Sequence, residues 1–181
     1  MAAMDTPQDV LDFWRSAGPQ RWFRKDEEFD RSFRERFLAT HEAAAAGRLA
    51  GWAGSPEGAL ALALLLDQFP RNAFRDTPRM YATDPQARAA ARAAVDAGFD
   101  QAIDAQLRQF FYLPFMHSED PGDLDRAIEL NRPLGGESLR YAQHHRGIVE
   151  RFGRFPHRNA ALGRASTPEE ERFLAEGGFG G

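Results

Sequence analysis

Residues 55–72 read SPEGALALALLLDQFPRN and contain the longest apolar run of the chain. Ser55 followed by proline and glutamate is typical of a helix N-terminus, where the hydroxyl accepts a free backbone N–H and the acid faces the positive end of the helix dipole. From Leu60 to Leu66 the residues are apolar on nearly every side, which predicts a central helix enclosed by others. The run is too short to span a membrane.

The composition favours the same class of fold. The 181 residues include only three isoleucines and three valines, against 16 leucines. Because β-strands are rich in β-branched residues, a sheet of ordinary size is not expected, and we predict an all-α fold.

Helix signals predict about eight helices joined by short turns, arranged in antiparallel pairs. The expected helices begin near Thr6, Asp26, Ser55, Asp84, Asp100 and Thr167, and two more lie at roughly 123–131 and 137–152. The helix after Asp100 is expected to end at Pro114, since proline disrupts a helix interior. No low-complexity linker divides the chain, so we predict one domain over residues 1–181 with a frayed tail at 176–181.

Charge and missing residue types exclude several classes of function. The net charge of −4 argues against nucleic acid as the main partner. Without cysteine there are no disulfides and no thiolate metal ligands. No signal peptide, Walker loop, dinucleotide fingerprint or nucleophile elbow is present, so we expect a cytoplasmic protein with no membrane partner and no cofactor. The residues do not indicate an oligomeric state.

The first polar cluster, Asp67 to Asn72, directly follows the apolar run. We expect the Asp67 carboxylate to be drawn partly out of water, where it needs a cation or donors, and Arg71 is the nearest cation. Either this pair locks the end of the helix and its proline turn, or Asp67, Arg71 and Asn72 line a binding site.

The second cluster runs from Pro114 to Asp120. Ser118 followed by two acids favours a helix N-terminus, which accounts for Ser118, Glu119 and Asp120 without a ligand. His117 is a candidate base, metal ligand or packed imidazole. His117 and Glu119 alone are a weak metal signal, because they lack the spacing of a His-Glu-x-x-His motif.

The third cluster lies within residues 151–164 and is the densest set of hydrogen-bond donors: Arg151, Arg154, His157, Arg158, Asn159 and Arg164. Residues 126–164 carry a formal charge of +5, whereas residues 96–125 carry −6. Either the two segments pair, so that Arg154 and Arg158 tie helices together, or some arginines line a cleft and hold a phosphate or carboxylate. The sequence is compatible with both.

Two smaller features are a recurring turn motif and a pair of histidines. Phe69-Pro70-Arg71-Asn72 recurs as Phe155-Pro156-His157-Arg158-Asn159 with one residue inserted, which indicates shared turn chemistry rather than a solenoid repeat. His144 and His145 lie within a predicted helix and are expected to be core or boundary histidines.

The clusters and several aromatic motifs resemble a bacterial family called domain of unknown function 924 (DUF924). The resemblance covers nearly the whole chain and rests on DFW at 12–14, WF at 22–23, LDQFPRN at 66–72, YLPFMHSED at 112–120, RFGRFPHRN at 151–159, LGR at 162–164 and STPEE at 166–170. It implies an all-α fold similar to tetratricopeptide-type helical folds, but no activity and no catalytic residue. One departure is Leu124, where the family has a glutamine after the HSED motif. The resemblance also suggests that the three clusters converge on one cleft.

Three functions remain open. The leading hypothesis is a helical protein that binds a small anion or an acidic peptide end, with donors at Arg71, Arg154, His157, Arg158 and Asn159 and with Asp67 orienting them. The second is a metal-assisted hydrolase in which His117, Glu119 and His157 hold a divalent ion and Asp67 is the base. The third is a scaffold for a peptide or partner helix, which predicts an exposed apolar groove.

Overall fold

The computed structural model describes residues 4–181, whose regular structure is entirely helical. The α-helices are α1 (Pro7–Ala17), α2 (Pro19–Trp22), α3 (Glu27–Ala45), α4 (Pro56–Ala63), α5 (Phe69–Ala73), α6 (Asp84–Asp96), α7 (Ala105–Met116), α8 (Pro121–Asn131), α9 (Gly136–Phe152), α10 (Asn159–Leu162) and α11 (Pro168–Ala175). Single 3₁₀ turns lie at Ala50–Gly54, Pro78–Met80, Phe99–Ala102 and Pro156–Arg158. The predicted all-α fold is confirmed, and the short helices α2, α5 and α10 are additional to those predicted. The similarity to tetratricopeptide-type folds stays a prediction.

The described chain forms two compact units. Unit 1 contains residues 4–75 and 79–114, and unit 2 contains residues 76–78 and 115–181. The single domain predicted for residues 1–181 stays a prediction. None of the helices described in residues 4–181 is long and apolar enough to cross a membrane.

Unit 1 is built around α4, as its apolar sequence predicts. Every residue from Gly58 to Gln68 is buried, and α4 packs against α1 and α6. Gly58 permits close approach of the preceding 3₁₀ turn, because a Cβ atom here would lie 2.0 Å from the carbonyl oxygen of Trp52. The predicted N-cap at Ser55 is confirmed, since its side chain accepts the backbone N–H of Gly58.

A π-helical turn, Leu64–Gln68, joins α4 to α5. The N–H of Phe69 bonds to Leu64 O, five residues back, and Pro70 has no N–H to offer Leu66 O. Two carbonyls are therefore open to side chains: His41 donates Nδ1–H to Leu65 O (2.8 Å), and Thr83 donates its hydroxyl to Leu66 O (2.6 Å). The proline of the first cluster thus explains why the helix widens where Asp67 lies.

Two predicted helix boundaries are wrong. Asp100 does not cap α7, which begins at Ala105; its carboxylate instead accepts the Tyr112 hydroxyl at 2.6 Å and the Gln101 amide at 2.8 Å. Pro114 does not end α7, which continues to Met116. The sequence predicted that Pro114 would end the helix, whereas in the structure the proline lies inside the last turn of α7.

The hydrophobic core of unit 2 lies between α8 and α9 and includes Leu124, Ile148, Val149 and Phe155. Helix α9 ends at Gly153 in the left-handed conformation (φ 72°), which lets the chain turn at once into the third cluster. The tail predicted to fray at 176–181 contributes Phe179, whose ring packs against this core. Its glycine-rich sequence carries no such signal.

Candidate functional site

The first cluster forms a buried ion network in unit 1. Arg71 donates an N–H from each terminal nitrogen to Asp84, at 2.7 and 2.9 Å. Its Nη1 also lies 3.3 Å from Oδ1 of Asp67, whose side chain is 1% exposed. Burial alone would lower the pKa of Arg71, but the charges of Asp67 and Asp84 outweigh it and raise that pKa above its usual value. These contacts fit the interpretation that Asp67 and Arg71 lock the end of the helix.

Asn72, next to this network, has a structural partner as well. Its amide donates to Asp30 at 2.7 Å, and Arg75 donates to the same carboxylate at 2.6 and 3.2 Å. The buried Asp30 carboxylate therefore holds α3 to α5. Sequence reasoning missed Asp30, which lies 42 residues before Asn72.

The second and third clusters meet in unit 2 at Glu119. Its carboxylate accepts hydrogen bonds from the backbone N–H of Phe155 and from both terminal N–H groups of Arg164, each at 2.9 Å. Burial alone would raise the pKa of Glu119, but hydrogen bonds from Arg164 and Phe155 lower it. Glu119 is thus a bound carboxylate that joins the two clusters. Asp120 caps α8 instead, accepting from Gly122 N at 2.8 Å.

Arg154 and Asn159 of the third cluster converge on Glu170 of α11. The guanidinium of Arg154 donates to both Glu170 oxygens at 3.0 Å, and Asn159 donates to one of them at 2.7 Å. Glu170 also completes a capping box with Thr167. For Arg154 the interpretation as a tie between elements is therefore supported, with a partner from α11 rather than from the acidic segment.

The acidic and basic segments do pair at other positions. Arg146 donates to Asp125 at 2.7 Å, and Arg164 binds Glu119 as described above. Two acids of residues 96–125 are thus paired with arginines of residues 126–164 inside unit 2.

Four histidines gather around Phe155 and Phe179; we call His117, His144, His145 and His157 the histidine cluster. The His145 ring lies 6.4 Å from His117 and 6.3 Å from His144, centroid to centroid. Phe155 lies 5.5 Å from His145 and 5.7 Å from His157. The cluster joins residues of α9 to the second and third sequence clusters.

Arg158 lies at the centre of this group. It is 7% exposed, donates to the carbonyl oxygen of His117 at 2.6 Å and places its guanidinium carbon 4.9 Å from the Phe155 ring centroid. These contacts hold a cation beside the imidazoles.

His145 is held as a neutral imidazole beside two other imidazoles and the Arg158 guanidinium. Its Nδ1 lies 2.7 Å from Tyr141 O and must carry the proton, because a carbonyl can only accept. Burial, together with His117, lowers the pKa of His145 to about 3, and His144 and Arg158 act in the same direction. Each neighbouring charged group that shifts this pKa is therefore basic.

An open pocket of about 350 Å³ borders the cluster along one side of α9. Its lining residues are Glu137, Arg140, Tyr141 and His144. The Arg140 side chain is 73% exposed and forms an ion pair with Glu137 at 3.7 Å, which contributes little because both side chains are exposed. His144 thus belongs both to the pocket and to the histidine cluster.

No set of three metal-ligating side chains able to hold an ion occurs among residues 4–181. Glu119, proposed as a ligand with His117 and His157, has both oxygens bound by Arg164. Asp67 belongs to unit 1.

The exposed apolar groove expected for a scaffold has little support within the described residues. The aromatic side chains of Trp14, Phe33, Phe37, Phe69, Phe110, Phe111, Phe115 and Phe155 are fully buried. Large exposed apolar side chains in residues 4–181 are Met4, Phe23, Tyr141 and Leu162.

In unit 2, sequence reasoning missed three participants: His145, Phe179 and Glu170. His145 has the buried, hydrogen-bonded position expected of a core histidine, but its role in the cluster depends on Phe155 and Phe179 from distant segments. Glu170 could have been found as a candidate partner, since STPEE stands out as a capping box beside an arginine-rich segment.

Comparisons with known proteins agree with the fold. A family described as "Bacterial protein of unknown function (DUF924)" matches residues 10–178. A solved structure of a protein of unknown function from Agrobacterium tumefaciens is similar, with 57% sequence identity, a TM-score of 0.93, and coverage of 94% of this chain and 97% of that chain. No curated protein matches the sequence.

Proposed function

The chain belongs to the DUF924 family of bacterial proteins of unknown function, and from the chemistry of unit 2 we propose that it binds a small anion: a phosphate, or a carboxylate such as an acidic peptide end. The observation that carries this proposal is the buried guanidinium of Arg158 at the histidine cluster, which is 7% exposed and donates to His117 O at 2.6 Å. His145 is surrounded by His117, His144 and Arg158, each of which lowers its pKa. An anion at this cluster would gain from the charge of Arg158 and would accept hydrogen bonds from imidazole N–H groups.

Two acids near the cluster already have partners in unit 2, although the charge of Arg158 also acts on Glu119. Glu119 is bound by Arg164, and Glu170 by Arg154 and Asn159. We therefore assign Arg154, Asn159 and Glu119 to the frame of the site rather than to ligand contacts. In this proposal His117, His157 and Arg158 contact the anion.

The roles of Asp67, Arg71 and Asn72 differ from those in the leading hypothesis. Their hydrogen bonds to Asp84 and Asp30 support a structural role in unit 1. As ligand contacts these three residues stay predictions.

Titration with defined anions tests the proposal. Inorganic phosphate, acetate, glutarate and a short peptide ending in two acidic residues would be added while thermal unfolding is followed. A ligand at 100 times its dissociation constant adds about 2.7 kcal/mol to the free energy of unfolding. We expect at least one of these anions to stabilise the wild type, and chloride at equal ionic strength to do so much less.

Variants identify the binding residues. Arg158→Met is expected to abolish the stabilisation, and Arg151→Met, which removes an exposed arginine paired with Glu169, is the matched control. Because Arg158 is buried and its loss can unfold unit 2, His157→Asn provides a second variant. If no anion stabilises the wild type, or if Arg151→Met and His157→Asn weaken binding equally, the proposal is wrong.

A further inference from the structure

Phe179 occupies a slot whose walls are aromatic rings. Its centroid lies 4.7 Å from His145, 5.0 Å from His157 and 5.8 Å from His144, with interplanar angles of 64°, 88° and 83°. Edge-to-face contact at these distances is the arrangement that aromatic rings prefer. Three imidazoles from two segments of unit 2 thus contact one partly buried phenyl ring.

The backbone that carries Phe179 is attached through a glycine turn. Gly177 takes a positive φ of 81°, and Gly178 donates its N–H to Phe173 O at 2.8 Å. A Cβ atom on Gly178 would lie 2.4 Å from that oxygen, so only glycine fits. Beyond this turn Gly180 and Gly181 have no side chains, and the Gly181 backbone lies against the His157 ring, since a Cβ there would be 3.0 Å from Cδ2.

The slot and the open pocket beside α9 are neighbours, because His144 contacts Phe179 and also lines the pocket together with Glu137. The pocket supplies the Arg140 guanidinium and the Tyr141 ring, which is 53% exposed. A molecule with an aromatic ring in the slot could therefore place a negative group toward Arg140 or toward the cluster. The pocket beside α9 has a volume of about 350 Å³, which is within the range of small-molecule sites.

We infer that this slot is a subsite for an aromatic ring, that Phe179 is its internal occupant, and that the ligand is a small aromatic anion such as an arylalkyl carboxylate. The anionic part of this inference rests on the proposed function. The ring subsite stands on the geometry of Phe179 and the three histidines. A ligand ring must displace Phe179, so the tail competes with the ligand.

Removing the occupant tests the subsite. Phe179→Ala would be compared with the wild type and with Phe23→Ala, which removes an exposed phenylalanine of unit 1 (60% exposed). The probes are 3-phenylpropanoate, propanoate and the neutral benzyl alcohol, and binding is followed by calorimetry and by the imidazole C–H resonances in NMR. Phe179→Leu, which keeps apolar bulk, checks that the effect does not come from loosening the fold.

In Phe179→Ala we expect 3-phenylpropanoate to bind about tenfold more tightly than in the wild type or in Phe23→Ala, since several aromatic contacts become available. Benzyl alcohol should bind the same variant and shift the His144, His145 and His157 resonances. Phe179→Leu should lie between the two.

The outcomes separate the two proposals. If propanoate binds but 3-phenylpropanoate binds Phe179→Ala no more tightly than propanoate does, the ring subsite is overturned while anion binding stands. If benzyl alcohol shifts the histidine resonances and no anion binds any form, the subsite is supported and both the proposed function and the aromatic-anion ligand fail. If neither benzyl alcohol nor 3-phenylpropanoate perturbs these histidines, the subsite is wrong.

Discussion

The turn at Phe69 in unit 1 and the turn at Phe155 in unit 2 are built from the same parts. Each begins with a fully buried phenylalanine followed by proline. Each ends with an asparagine whose amide donates, at 2.7 Å, to a buried carboxylate that is also held by an arginine fork. The fork is Arg75 on Asp30 in unit 1 and Arg154 on Glu170 in unit 2.

A buried histidine accompanies each turn. His41 stacks on Phe69 at 4.7 Å, and His145 meets Phe155 at 5.5 Å. Both donate Nδ1–H to a backbone carbonyl, and burial lowers the pKa of both. The recurrence seen in the sequence is therefore a shared turn with its own carboxylate and imidazole.

The two turns differ in the charge around their central arginine. Arg71 lies between the carboxylates of Asp67 and Asp84, whereas Arg158 contacts a carbonyl and a phenyl ring and lies among histidines. The residue inserted in unit 2 is His157. The same frame thus surrounds its arginine with carboxylates in unit 1 and with histidines in unit 2, and our proposal places the anion at the second.

Of the substitutions that test this difference, Arg71→Met is expected to lower the free energy of unfolding most. It removes a cation that serves two buried carboxylates, and breaking such a pair costs about 3–5 kcal/mol. Arg71→Lys should recover part of the loss, because it restores charge without the fork. Urea denaturation measures the change, with Arg126→Met as control for an exposed pair, where we expect at most about 1 kcal/mol. A loss no larger than the control's would mean that the network of unit 1 is not the structural lock inferred here.

The sequence predicted local features of the two turns and their helices better than the long-range partners of the polar residues. The helix class, the central position of α4 and the N-cap at Ser55 follow from local patterns, so they could be read from neighbouring residues. Asp30 and Glu170 could not be assigned as partners, since each meets its asparagine only after distant segments fold together. The π-helical turn depends on Thr83, 17 residues beyond Leu66, which supplies the donor that Pro70 lacks.

The asparagines test whether the two turns are equivalent. Asn159→Ala removes hydrogen bonds to Glu170 and Ser166 and an acceptor for Arg164, whereas Asn72→Ala removes the bond to Asp30. A hydrogen bond to a charged group contributes about 1.5–3 kcal/mol, so we expect Asn72→Ala near the lower value and Asn159→Ala near the upper. Denaturation with both variants measures this. Equal losses would show that the additional contacts of Asn159 add nothing.

The histidines give the smallest effect and depend on pH. Above the ordinary pKa of 6.5, the imidazole of His145 is neutral in both the folded and the unfolded chain, and the folded state has its full stability. Below pH 6.5 the His145 imidazole is protonated in the unfolded chain, whereas in the folded chain its pKa is lowered to about 3 and it stays neutral. The free energy of unfolding therefore falls as the pH falls, by at most about 1.4 kcal/mol per pH unit for each such histidine. His41→Gln and His145→Gln keep a donor for the carbonyl but do not titrate. Measured by urea denaturation between pH 7.5 and 5.5, His145→Gln should flatten the dependence more than His41→Gln does, because the charged neighbours of His145 all oppose its protonation, whereas at His41 Arg79 opposes it and Glu42 favours it. If His41→Gln has the larger effect, the basic neighbours of His145 do not oppose its protonation, and one reason to expect an anion there is lost.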